Sequence, residues 1–109
     1  MPYQIEYLPC ALRDLTEIAD YIGVKLNNPD AADRLSETIV SSIEKLTEMP
    51  YRYPIYSPAA SFTVNPLKME YRKMVVRNYL VFYWVNEEKQ HVTIARVIYS
   101  GRNIDNILE

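Results

Sequence analysis

Glycine is nearly missing from this chain, with two in 109 residues. So small a supply excludes a flexible glycine linker and a glycine-rich phosphate loop. A single cysteine, Cys10, cannot close an internal disulfide, which suits a reducing compartment. Cys10 is expected as a packed thiol rather than a nucleophile. No apolar run approaches the ~20 residues that a membrane helix needs. The opening MPYQIEYLPC has neither a basic leader nor an apolar signal core. The expectation is therefore a cytoplasmic protein without a membrane contact. An excess of positive charge is lacking too: the net charge is −2, which discourages tight, non-specific binding to nucleic acid.

What is present is one domain, residues 1–109, long enough for a single packed core. Its 49% hydrophobic and 24% charged content is that of a globular chain. The charge is polarised. Residues 1–49 hold nine acids against four bases, whereas residues 70–102 hold six bases against three acids. The second region has a modest basic face that suits phosphates or an acidic peptide.

Tyr3–Tyr7 alternates apolar and polar residues and reads as a half-buried strand. Pro9 ends it and suits a helix start. From Ala11 to Leu26, Leu12, Leu15, Ile18, Ala19, Ile22 and Leu26 form one helical stripe, with Arg13, Asp14, Glu17 and Asp20 mostly opposite. Asn28 suits a helix cap and Pro29 a first helical position. The next helix runs to Met49, with Ala32, Leu35, Ile39, Ile43 and Leu46 in register. Two such helices form an antiparallel hairpin whose apolar face needs a sheet.

Residues 50–69 contain four prolines and read as an irregular connection with a short extended piece at Ser61–Val64. Tyr51, Tyr53 and Tyr56 in it suit either a stacking platform or a lid of rings on a small core. Three antiparallel strands follow, at Tyr71–Val76, Tyr79–Val85 and His91–Tyr99. Leu80, Phe82 and Trp84 oppose Tyr79, Val81, Tyr83 and Val85. Val92, Ile94, Arg96 and Ile98 oppose Thr93, Ala95, Val97 and Tyr99. One face packs on the helices, and the other, also apolar, is left for a ligand or partner. The tail NIDNILE suits one helical turn. The fold class is α+β.

Arginine on an apolar sheet is costly unless it is exposed or paired, so Arg72, Arg77, Arg96 and Arg102 draw attention. Arg72 has a structural alternative, pairing with Glu70 or a helix acid. Arg96, mid-strand between Ala95 and Val97, is expected in a structural ion pair. Arg102 follows Gly101 at a strand end, where functional groups are often placed. His91 at a turn is expected to be solvated. Tyr99 as a general acid must contend with a phenol pKa of ~10.

The order of strand, helix hairpin and meander resembles the RelE/ParE superfamily of toxins from bacterial type II toxin–antitoxin, or plasmid stabilisation, modules. The residues that carry the resemblance are LRDLTEIADYIGVKLNNPDAADRLSETIVSSIEKLTEMP for the helices, with YRKMVVRNYLVFYWV and VTIARVIYSGRNI for the strands. The family pattern places an arginine on the second strand, here Arg72. A small residue and tyrosine open the third, here Asn78 and Tyr79 with Tyr83. A basic ending closes the fourth, here Arg96 to Arg102.

The resemblance implies a growth-arresting toxin neutralised by a cognate antitoxin. Its target is DNA gyrase on the ParE side, or the ribosome with its messenger RNA on the RelE side. On the RelE side it implies an endoribonuclease with Arg72, Arg102 and Tyr99 as catalytic candidates. Lys68, Lys73, Arg77, Tyr79 and Tyr83 are candidates for target binding. No cofactor or metal is implied. The tail lacks a tyrosine, Tyr99 and Ser100 stand where a His-Tyr ending would be, and only Lys68 and Lys73 represent a lysine cluster. These departures, with the long helix hairpin and the RVIYSGRNI ending, favour ParE. A non-toxic peptide-binding module is a third reading.

Overall fold

The computed structural model describes residues 2–56 and 70–101. Strand β1 covers Gln4–Tyr7, and Pro9 follows at the first position of helix α1 (Pro9–Asp20), where a missing N–H costs nothing. The helix widens into a π-helical turn over Tyr21–Lys25 instead of running regularly to Leu26. Asn27, at φ 51°, reverses the chain in the left-handed region that asparagine tolerates. Asn28 then caps helix α2 (Pro29–Glu44), its Oδ1 accepting from the N–H of Ala31 at 3.2 Å. A 3₁₀ turn over Lys45–Thr47 ends the helical region.

Strands β2 (Arg72–Val76), β3 (Tyr79–Asn86) and β4 (His91–Tyr99) form the expected antiparallel meander. The sheet order is β1-β4-β3-β2, with β1 parallel to β4. Parallel neighbours need a long crossover, and the helix hairpin begins that connection from β1. Strand β2 lies at one edge. Ile55 bridges to Arg72, and the N–H of Lys73 donates to the Pro54 carbonyl at 3.1 Å, so residues 54–56 line the first part of that edge. Val75 beyond them is exposed.

The helices bury Ala11, Ile39, Ile43 and Leu46 against Met74, Val81, Tyr83, Val92, Ile94 and Val97. The opposite face departs from the expectation of an open apolar surface. Tyr71, Leu80, Phe82, Ala95 and Ile98 form a second buried cluster there, with Leu8, Tyr56 and Trp84 packed against it. Phe82 in this cluster is 0% exposed.

Strict alternation along β4 also fails. Phe82 pairs with Arg96 but Tyr83 pairs with Ile94, so Ala95 is the extra residue of a bulge. The bulge moves Val97 to the same face as Val92 and Ile94. In α1, Leu12 and, after it, Leu26 are exposed, while Asp14 is buried. Ser61–Val64 and the expected C-terminal helical turn lie outside the described residues. Among the described residues no helix is long and apolar enough to cross a membrane.

Candidate functional site

Arg96 accounts for buried Asp14. Its Nε donates to Asp14 Oδ2 at 2.7 Å and its Nη2 to Oδ1 at 2.9 Å. The N–H of Val97, next to the bulge, adds a third bond to Oδ2 at 3.0 Å. The carboxylate is thereby satisfied by a planar fork and a backbone donor. The hydrogen bonds it donates to Asp14 raise the Arg96 pKa further. This is the structural ion pair expected of Arg96, and it ties α1 to β4. Cys10 joins the same seam, its thiol donating to the Ala95 carbonyl at 3.1 Å.

Arg72 begins β2 beside the 50–56 segment. Its Nη1 donates to the Tyr53 carbonyl at 2.7 Å, and its guanidinium carbon lies 4.9 Å from the centre of the Tyr51 ring. Among the described residues no carboxylate pairs with it, so the expected partnership with Glu70 or a helix acid is not made. Two more cations share this habit. Lys73 Nζ lies 5.6 Å from the Tyr56 ring, and the Arg52 guanidinium carbon 5.7 Å from the Tyr53 ring. Tyr56 also meets Phe82 edge-on at 5.2 Å, and Tyr53 packs on the first core. The three tyrosines thus serve partly as lid and partly as a bed for cations.

A carboxylate stands beyond Tyr51. Glu87 Oε2 accepts from the hydroxyls of Tyr3 at 2.5 Å and Tyr51 at 2.6 Å, and Gln90 donates to Oε1 at 3.2 Å. These bonds lower the pKa of Glu87. The same bond, with burial second, pushes the Tyr51 phenol up to about 12. A phenol so raised and a carboxylate so engaged are poor proton carriers near neutral pH. This end of the sheet can hold an anion or a ring, but its visible groups are not poised to move a proton.

Tyr83 does not reach a target-facing surface. It is 0% exposed, its hydroxyl donates to the Pro50 carbonyl at 2.8 Å, and burial pushes its pKa up to about 12. It anchors the 50–53 segment that carries Tyr51 and Tyr53.

The remaining candidates gather at the opposite end. Arg77 is exposed in the turn between β2 and β3, at φ 55°, beside a shallow hollow formed with Ala31, Arg34 and Glu37. Tyr79 and Tyr99 meet edge-on at 5.9 Å. They form the sheet side of a groove of about 550 Å³ against Ile18 and Tyr21. Tyr99 is level with Tyr79 and Val76, whereas Arg72 is level with Tyr83. At ~3.3 Å per residue, that offset of four residues is about 13 Å along the strands. Arg72 and Tyr99 are therefore not brought to one reacting atom. Lys68 and Arg102 lie outside the described residues. His91 sits at the β4 start, its Nδ1 3.8 Å from a Glu6 carboxylate oxygen. Among the described residues no three His, Cys, Asp or Glu side chains converge as metal ligands.

The family model of the ParE toxin of type II toxin–antitoxin systems matches residues 5–104. The chain belongs to this family. Its fold also recurs in solved structures. A chain of the chromosomal ParDE system from P. aeruginosa superposes with a TM-score of 0.67 at 18% identity, covering 89% of this chain and 95% of that one. A chain of a RelBE toxin–antitoxin complex from Mycobacterium tuberculosis gives 0.58 at 18% identity, covering 91% and 99%. One from the archaeal RelE–RelB complex of Pyrococcus horikoshii gives 0.60 at 14% identity, covering 94% and 100%. No curated protein matches by sequence.

Of the candidates read from sequence, the ParE-family fold keeps Arg72 and Lys73 at one end and Arg77, Tyr79 and Tyr99 at the other. Sequence reasoning missed Arg52, Glu87 and Glu17. The first two become visible only when the 50–56 segment folds along β2 and the β3–β4 turn meets Tyr3. Glu17, on the side of α1 opposite its apolar stripe, lines the groove.

Proposed function

We propose that this ParE-family toxin arrests bacterial growth by binding DNA gyrase and is held inactive by a cognate antitoxin, both in the cytoplasm. The observation that carries the gyrase reading is the separation of Arg72 from Tyr99 by about 13 Å along the strands. Cleavage of RNA needs a cation and a proton donor around one phosphate. A binding toxin needs only a complementary surface. Arg52, Arg72 and Lys73, each over a tyrosine ring, supply one with charge and flat apolar area together. Arg77 and Tyr79 extend the contact at the far end, and Lys68 and Arg102 join it by their place in the family pattern.

The antitoxin follows from family membership and from the similarly folded chains, whose structures are of ParDE and RelBE toxin–antitoxin assemblies. A messenger-cleaving action on the ribosome is the second reading, favoured by the cation-and-ring strip, which also suits phosphates and bases. Induction of the chain without its antitoxin is expected to stop growth. Growth that continues at confirmed protein levels contradicts the toxin reading. Purified chain is expected to inhibit gyrase supercoiling and to leave messenger intact on programmed ribosomes. Cleaved messenger with unaffected gyrase selects the second reading.

A further inference from the structure

The groove at the Tyr99 end combines tyrosine rings with acids. Ile18 and Tyr21 on the helical side face Tyr79, Val97 and Tyr99 on the sheet side. Among the described residues its charged lining groups, Asp14 and Glu17, are both acids. Asp14 is already held by Arg96 and the Val97 N–H, and Glu17, which acts on Arg96 only through its charge, is the exposed acid that a newcomer meets. We propose that this groove seats one basic side chain, arginine or lysine, carried on an apolar segment of the antitoxin.

The chemistry of the walls selects that occupant. The faces of tyrosine rings carry negative potential and attract a cation within about 6 Å of the centroid. Three phenols converge here, and burial, then Tyr99, then Tyr21 raise the pKa of Tyr79. An apolar side chain in the groove desolvates Glu17 without compensation, and an acidic one is repelled by it. A basic one satisfies Glu17 and lays its methylene stem along Ile18 and Val97.

Two further features match an apolar carrier. Tyr21, which lines the groove, is 54% exposed and leads into the π-helical turn in which Val24 is 75% exposed, so apolar surface lies both in the groove and close to it in the chain. Gly101 also fixes one wall. A Cβ on Gly101 comes within 2.7 Å of Tyr99 Cε2, too close for the ring to keep its place. A small residue there lets the Tyr99 ring lie against the backbone and face the groove.

The partner's identity rests on the antitoxin reading above, but the chemistry of the groove can be tested without it. The probe is acetyl-Leu-Arg-Leu-amide, titrated into the full chain while the ring resonances of Tyr21, Tyr79 and Tyr99 are followed by NMR. The expected result is a saturable shift of those rings with a Kd in the millimolar range. Glu17→Gln and Gly101→Ala should each weaken it about threefold, and Tyr99→Leu more. The same peptide with norleucine or glutamate in place of arginine should bind at least about threefold less tightly. No saturable shift, or equal binding of the norleucine or glutamate peptide, overturns the proposal. Growth arrest is a separate readout: a chain that stops growth yet ignores the peptide refutes the groove inference alone.

Discussion

At the Arg72 end of the sheet, cations rest on tyrosine rings and the nearby carboxylate of Glu87 is clamped by two phenols. At the Tyr99 end the arrangement is reversed. The cation Arg96 is consumed by Asp14, while Glu17 and the faces of Tyr21 and Tyr99 remain outward. The same residue types thus produce opposite surfaces. What differs is which charge is already satisfied within the chain. An arginine over a ring keeps most of its donors for a partner, whereas one in a fork with a buried carboxylate has few left. The first end is suited to an anionic or mixed target, the second to a basic segment.

The sharpest way to break this contrast is to remove the acid that consumes Arg96. Asp14→Ala leaves a guanidinium and the Val97 N–H without their partner at the seam of α1 and β4. It should cost about 3 kcal/mol of stability, read as a lower urea midpoint at unchanged slope. An unchanged midpoint means that the pair is not what holds the helix to the bulge. A smaller loss is expected from Tyr83→Phe at the other end. The Pro50 carbonyl loses its donor, which costs about 1 kcal/mol and loosens Tyr51 under Arg72. Wild-type stability combined with an unmoved Tyr51 resonance contradicts that anchoring role.

The clamp at Glu87 has a pH signature of its own. The folded pKa of Glu87 lies below its ordinary value of 4.5. Its contribution is therefore present above that value and lost as pH falls through the folded pKa. For Tyr51, pushed up to about 12, the contribution is present below the ordinary 10.0 and lost as pH rises through about 12. Absorbance titration should show a late-ionising phenol that moves back toward 10 in Glu87→Gln. Buried Tyr83, also pushed up to about 12, should stay late in that variant. The smallest effect belongs to Arg72→Lys, which keeps the charge but loses the planar contact with Tyr51. It should cost about 0.5 kcal/mol, measurable by chemical denaturation.

Much of this organisation is legible in the chain itself. Pro9, Asn28 and Pro29 mark helix starts by rules that need no tertiary context, and Val-, Ile- and Tyr-rich runs mark the meander. Arg96 is legible as a structural charge because an arginine between Ala95 and Val97 has to be paired. Its partner is not: Asp14 sits in a polar helical run with Arg13, Glu17 and Asp20, and only the docking of α1 on β4 distinguishes it. The bulge at Ala95 has no compositional mark, so counting by two along β4 puts Val97 on the wrong face. The separation of Arg72 from Tyr99 depends on strand register, and the burial of the second face depends on how Leu8 and Tyr56 pack on it. Those are long-range facts.

In the proposed action the Arg72 end binds its target and does not work in concert with Tyr99. A gyrase supercoiling assay with purified chain tests it most directly. The wild type should inhibit, Arg72→Ala should raise the half-inhibitory concentration at least about tenfold, and Tyr99→Phe should leave it unchanged. Intact supercoiling at every concentration of active toxin, or equal loss in the two variants, contradicts the account.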